Sequence, residues 1–274
     1  MNMSTHADRA RFQSGADRYV AYLETPEGRL RSDLAFANLL EFLPAGNKDS
    51  LRALDLGCGT GATAVRLAEL GIHVTLLDSS HEMLEIAERA AREAGVSERI
   101  VLTHRDVAQL ASFFGPESFD VILCNNLLEF VEDPGVVLRD AACLMRDSRA
   151  ILSVLARNQA GEVLKAAIEA GNLAAAENSL IAEWGQESLY GGRVRLFTSD
   201  SLQRMLKAAR LGISAERGVR VVADYLPSRI SRSAEYERIF DLERKLGRRR
   251  EFAGIARYIQ CVAHRPGPMI EDGA

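Results

Sequence analysis

From Leu51 onward, short apolar runs alternate with segments of helical spacing, and the first run empties into a turn carrying Gly57, Gly59 and Gly61. That alternation restricts the chain to a parallel sheet with helices on both faces. Leu51 to Leu56 reads as the first strand, Ile72 to Leu77 as the second, Ile100 to Thr103 as the third, Phe119 to Cys124 as the fourth and Ala150 to Leu155 as the fifth. Helices are expected after Gly61, after a cap at Ser79 or Ser80, and from Pro134 to about Met145. Two further strands, near Val219 to Val222 and Tyr258 to Ala263, complete a doubly wound, Rossmann-like, mostly parallel seven-stranded sheet. Residues 46–157 and 193–265 form this unit. Residues 1–45 read as an N-terminal helical lid, the Ala/Glu-rich residues 158–192 as a helical cap insertion, and 266–274 as a frayed tail.

Glycines between a strand and a helix allow a tight turn and let a ligand approach the backbone at the helix N-terminus. By itself the loop also satisfies a dinucleotide fingerprint through Gly57, Gly59 and Ala62. Two carboxylates bear on the choice. Asp55 puts negative charge where a pyrophosphate would lie, whereas a sulfonium amino acid with a free ammonium gains from it. Asp78, at the end of the second strand, can accept from both hydroxyls of a ribose and suits either ligand.

Leu54-Asp55-Leu56-Gly57-Cys58-Gly59-Thr60-Gly61 resembles the first motif of class I S-adenosylmethionine-dependent methyltransferases. Leu77-Asp78-Ser79-Ser80 with Met83, Arg105-Asp106-Val107, and Phe119 to Asn125 resemble the second, third and fourth motifs, in the same order. The resemblance implies S-adenosyl-L-methionine as cofactor. It places the methionine part over Asp55, Gly57, Cys58, Gly59 and Gly61, the ribose on Asp78 beside Ser79 and Met83, and the adenine at Asp106 and Val107. Asn125 then lines the floor under the reacting methyl.

A second resemblance runs over nearly the whole chain. Leu128 to Pro134, Gly218-Val219-Arg220-Val221 with Asp224-Tyr225-Leu226, and Arg257-Tyr258-Ile259 are similar to segments of the bacterial tRNA 5-carboxymethoxyuridine methyltransferases. Gly28-Arg29-Leu30-Arg31 resembles that family's Gly-x-Leu-Arg, whose arginine holds the methionine carboxylate, a role that carries to Arg31. The resemblance implies methyl esterification of a carboxylate on a wobble uridine, with tRNA as partner. This sequence departs from it where the family's histidine falls on Asn125, and where a lysine run gives way to Glu183 to Arg193.

A carboxylate is already ionised at neutral pH, so its methylation needs no general base. It needs groups that position it, and Arg220, Tyr225, Arg257 and Tyr258 are the candidates. Asn125-Asn126-Leu127-Leu128 differs from the Asn/Asp-Pro-Pro-Tyr type that resembles nucleobase amino-methyltransferases. His73, His81 and His104 read as framework or surface residues; Glu129 could serve as a base, but reads first as a carboxylate opening a surface helix. Charge is uneven: residues 193–250 hold 15 Lys+Arg against 7 Asp+Glu, within a chain of net charge -4, so this stretch is a candidate phosphate contact. A small-molecule O- or N-methyltransferase with a capped pocket is the alternative, and a non-catalytic S-adenosylmethionine-binding protein a third. The four cysteines are too dispersed for a zinc or redox pair, and no metal is expected. With no apolar run of about 18 residues and no apolar core between Met1 and Arg11, neither a membrane partner nor a signal peptide is expected, and the reading is cytoplasmic.

Overall fold

The computed structural model describes residues 15–187, 189 and 191–266. The expected tail from 267 and the first 14 residues of the expected lid lie outside them. Helix α1 (residues 15–24) leads to α2 (Pro26–Leu40), opened by Thr25, whose side chain accepts from the Gly28 amide. The strands are β1 (Arg52–Leu56), β2 (His73–Asp78), β3 (Ile100–His104), β4 (Val121–Asn125), β5 (Ile151–Arg157), β6 (Trp184–Gln186), β7 (Arg193–Arg195), β8 (Gly212–Val219) and β9 (Tyr258–His264). The intervening helices are α3 (Ala62–Glu69), α4 (His81–Glu93), α5 (Pro134–Leu144), α6 (Gln159–Leu164), α7 (Leu173–Ser179), α8 (Ser199–Ala208), α9 (Tyr236–Gly247) and α10 (Arg250–Ala253).

Seven strands form one sheet in the order β3-β2-β1-β4-β5-β9-β8, with β9 antiparallel to both its neighbours. Strands β1, β4 and β5 are buried almost throughout, as a sheet covered on both faces requires. The order reverses between β1 and β4, so their carboxyl ends diverge and leave a crevice where ligands bind in such sheets. One core layer packs α5 and α8 against Ile122, Leu152 and Ile259; the other packs α3 and α4 against Val74, Leu76 and Val121. A third cluster joins Leu30 and Leu34 of α2 to Val219, Ile239 and Tyr258. The N-terminal helix is thereby fixed to the antiparallel end of the sheet.

Two sequence expectations change. The insertion between β5 and α8 is helical only in part: α6 passes through a π-helical turn (Lys165–Glu169) into α7, and β6 and β7 then make a separate hairpin. The strand expected at Val219 to Val222 lies earlier, at Gly212–Val219. Its polar residues Ser214, Glu216 and Arg217 are tolerated because β8 is an edge strand. Arg220 then leaves the strand with φ 61°, a left-handed conformation uncommon for a side-chain-bearing residue.

The apolar run that imitates a strand is a buried turn whose amides need an acceptor. Glu243 of α9, fully buried, supplies it. Its carboxylate accepts from the amides of Val221, Val222 and Ala223 at 2.6, 2.8 and 2.7 Å. Glu243→Ala would strand these donors, and is expected to cost about 3–5 kcal/mol in urea unfolding. A loss under about 1 kcal/mol would mean that water replaces the carboxylate.

Candidate active site

The glycine loop is shaped by backbone geometry. Gly57 and Cys58 both donate their amides to Leu77 O, at 2.8 and 3.1 Å, which folds the loop over β2. Gly61 has φ +70°, and a Cβ there would lie 2.8 Å from that of Ala87, so glycine lets α3 approach α4. Asp78 ties the second loop to the first. Its Oδ2 accepts from the Gly59 amide and its Oδ1 from the Ser80 amide, both at 2.9 Å. Ser80 in turn caps α4 through the Met83 amide.

Above these loops, at the carboxyl ends of β1, β2, β4 and β5, lies a cavity of about 620 Å³. Gly57, Gly59, Asp78, Ser79, Met83, Asp106 and Val107 line one side, with Asn125 on the floor. Arg31, Arg220, Arg257 and Tyr258 line the other, and Lys165, Glu169, Glu187 and Val194 of the insertion border it. Four of the sequence candidates lie away from this lining. Cys58 packs into the core, Gly61 sits against α4, and Tyr225 places its hydroxyl 3.4 Å from Gly161 O. Asp55 is buried beneath the loop and its carboxyl makes no hydrogen bond or ion pair with the described residues; burial first, then the charge of Asp78, pushes it up to about 7.

The side lined by Arg31 is crowded with guanidinium groups. Arg31 is buried, donates to Tyr19 Oη at 3.0 Å, and faces the rings of Tyr19, Tyr22 and Tyr258. It has no carboxylate partner among the described residues. Arg220 pairs through Nε and Nη2 with Asp224 and donates from Nη1 to Tyr22 Oη at 2.9 Å. Glu162 sits between Arg157 and Arg257, 2.9 Å from each. The Tyr258 phenol lies within this group. Burial alone would raise its pKa, but Arg31, Arg220, Arg157 and Arg257 together bring it down to about 8.

Glu129 was missed as a cavity residue. It is 4% exposed and lines the cavity, where Oε1 accepts from Asn126 Nδ2 at 3.0 Å and from the Arg157 amide at 2.9 Å. Its Oε2 and the Oδ1 of Asn125 are buried without a hydrogen-bond partner, and burial raises the Glu129 pKa. The signal was present in the sequence, since a lone carboxylate within Leu127-Leu128-Glu129-Phe130-Val131 has apolar neighbours on both sides. No histidine among the described residues lines the cavity; His104 contacts Ser79 O, and His73 and His81 are exposed. Of the basic stretch 193–250, the side chains lining the cavity are Val194, Arg220, Asp224 and Arg232, while Arg217, Arg244 and Arg248 converge on Glu41 of the segment after α2. Two of the fifteen basic residues of the stretch thus line the cavity, and three gather on Glu41 away from it.

A sheet of this order, a glycine loop tied to an acidic strand end, and a cavity over both define a Rossmann-like methyltransferase. The family described as "Methyltransferase domain" matches residues 28–213, and the chain belongs to that family as an S-adenosylmethionine-dependent enzyme. Within it, the chain is 29% identical over 248 residues to the tRNA 5-carboxymethoxyuridine methyltransferase of Escherichia coli K12, covering 88% of this chain and 90% of that one. It is 32% identical over 171 residues to the ubiquinone biosynthesis O-methyltransferase of Xanthomonas euvesicatoria pv. vesicatoria, covering 60% and 70%. Among solved structures, the CcbJ methyltransferase from Streptomyces caelestis superposes with a TM-score of 0.63 at 19% identity, covering 95% of this chain and 99% of that one, which shows the shared fold. No helix among the described residues is long and apolar enough to cross a membrane.

The unpaired Asp55 carboxyl has a measurable consequence. A folded-state pKa above the unfolded value means that the stability is present below about pH 4 and is lost as pH rises toward 7. Asp55→Asn removes that dependence. The ligand-free variant is expected to exceed the parent by about 2–4 kcal/mol in urea unfolding at pH 8 and to match it near pH 4. Equal stability at both pH values would show that the carboxyl is paired.

Proposed function

We propose that the chain transfers the methyl group of S-adenosylmethionine to an ionised carboxylate, that of a carboxymethoxy-type uridine at the wobble position of tRNA. Two unpaired groups bear on the cofactor: a buried anion-forming carboxyl, Asp55, and a buried cation, Arg31. The amino-acid end of S-adenosylmethionine carries the complementary ammonium and carboxylate. In this reading Arg31 holds the carboxylate, Asp55 favours the ammonium through its charge from beneath the glycine loop, Gly57 and Gly59 allow close approach, Asp78 with Ser79 and Met83 takes the ribose, and Asp106 and Val107 take the adenine. Cys58 and Gly61 support the loop from behind. The bound cofactor supplies a methyl group already activated by positive sulfur.

The observation that carries the acceptor is the charge balance on the far side of the cavity. With Arg31 assigned to the cofactor, Arg157, Arg220 and Arg257 remain against Glu162 and Asp224. Arg157 and Arg257 share the single carboxylate of Glu162, so guanidinium donors are concentrated in this buried group, which favours an anionic acceptor. Arg220 and Arg257 would hold the acceptor carboxylate, with Tyr258 donating from its phenol, and Tyr225 would brace the turn. Positioning and exclusion of water then do the work, without a general base. The tRNA 5-carboxymethoxyuridine methyltransferase of Escherichia coli K12 matches this chain over 88% of its length, which supports the finer reading.

A small-molecule acceptor is the second reading. The cavity volume falls within the range of small-ligand sites, and three of the basic residues converge on Glu41, away from it. Methyl transfer from labelled cofactor to tRNA of a host lacking its own enzyme separates the two. Incorporation is expected at the wobble nucleotide, with label released by mild alkali because the product is an ester. No incorporation by protein that binds cofactor would overturn the tRNA reading. Arg220→Ala is expected to leave cofactor affinity within about threefold and to lower turnover by about 100-fold or more, as for a lost charge-assisted contact. Equal losses in both would reassign Arg220 to holding the fold.

A further inference from the structure

The hairpin β6–β7 has two unlike faces. Val194 is buried and Gly185 packs against Leu196, whereas Trp184, Gln186 and Arg193 are exposed on the other face, with Arg195 beside them. The guanidinium groups of Arg193 and Arg195 each lie 4.9 Å from the centre of the Trp184 ring. Neither has a carboxylate partner among the described residues, in contrast to the arginines gathered on Glu41. A large aromatic ring 39% exposed with two guanidinium groups set over it, neither held by a carboxylate and only Arg195 tethered, through Nη2 to Glu132 O, is an unusual surface for a protein to leave uncovered. The same hairpin borders the cavity, since Val194 and the adjoining Glu187 line it.

We infer that this face is a docking platform for single-stranded RNA, on which a nucleotide next to the acceptor stacks against Trp184 while its phosphates meet Arg193 and Arg195. Stacking needs an exposed π-face and tolerates any base, and the arginines supply the phosphate contacts and a planar cation of their own. The charge and ring chemistry match a nucleotide, which brings both an anion and an aromatic plane. This inference rests on the tRNA reading above and adds to it: the acceptor nucleotide enters the cavity while its neighbour is held at the rim.

Trp184 is the chain's only tryptophan, so its fluorescence reports on this face directly. Titration with a 17-nucleotide anticodon stem-loop, in the presence of S-adenosylhomocysteine, is expected to quench the emission by half or more. Filter binding of the same RNA should weaken at least tenfold in Trp184→Ala and in Arg193→Gln with Arg195→Gln. Cofactor affinity in those variants should stay within about twofold, which guards against loss of folding. RNA that binds and is methylated without quenching, and with unchanged affinity in the variants, would overturn the platform and leave the tRNA reading standing. No RNA binding by the parent protein would overturn both. Quenching or a blue shift with phosphatidylglycerol vesicles in place of RNA would reassign the face to a lipid surface and so overturn the inference.

Discussion

Guanidinium groups are costly to bury, and the active-site end of this fold is organised by how that cost is met. Arg31 comes from α2, Arg157 from β5, Arg220 from the turn after β8 and Arg257 from the approach to β9. Glu162 of α6 holds two of them and Asp224 a third, and three tyrosine rings enclose the fourth. The N-terminal helix, the insertion and the antiparallel strands thus meet through one set of charges. Removing a single carboxylate would unbalance groups contributed by several elements at once. The same crowding lowers the Tyr258 phenol to about 8, which is otherwise unexpected for a buried tyrosine.

The glycine-loop half of the site is local and was therefore legible. Asp55, Gly57, Gly59, Gly61 and Asp78 lie within two strand–turn–helix units, and each spacing has its own stereochemical reason. Their separate duties were not legible. Asp78, read as a ribose ligand, also accepts from two backbone amides that set the loops, and Gly61 serves helix packing. Such roles depend on what the residue faces across the fold, which its neighbours in the chain do not encode.

The far side of the cavity is assembled from residues distant in the chain, and there the reading thinned. Arg220 was singled out by resemblance, but its left-handed backbone and the Glu243 carboxylate behind it have no periodic signature. Val221 to Ala223 prolongs the look of a strand because burial, and not extension, makes it apolar. Glu129 was read as a surface carboxylate because helical surfaces are where glutamates usually lie. The hairpin escaped notice because its strands are three residues each, too short to display an alternation.

The position of β9 bears on how the molecule is made. This strand follows all the others of the sheet in sequence yet lies between β5 and β8, and residues at its start close the arginine cluster. A growing chain can pair β1 to β5 through short crossovers, and so shape the glycine loop, before β9 has been made. The arginine-lined side must wait for residues 257–264, while α2 is kept without its final packing partners. The glycine-loop half of the site can thus form on a nascent chain ahead of the arginine-lined half.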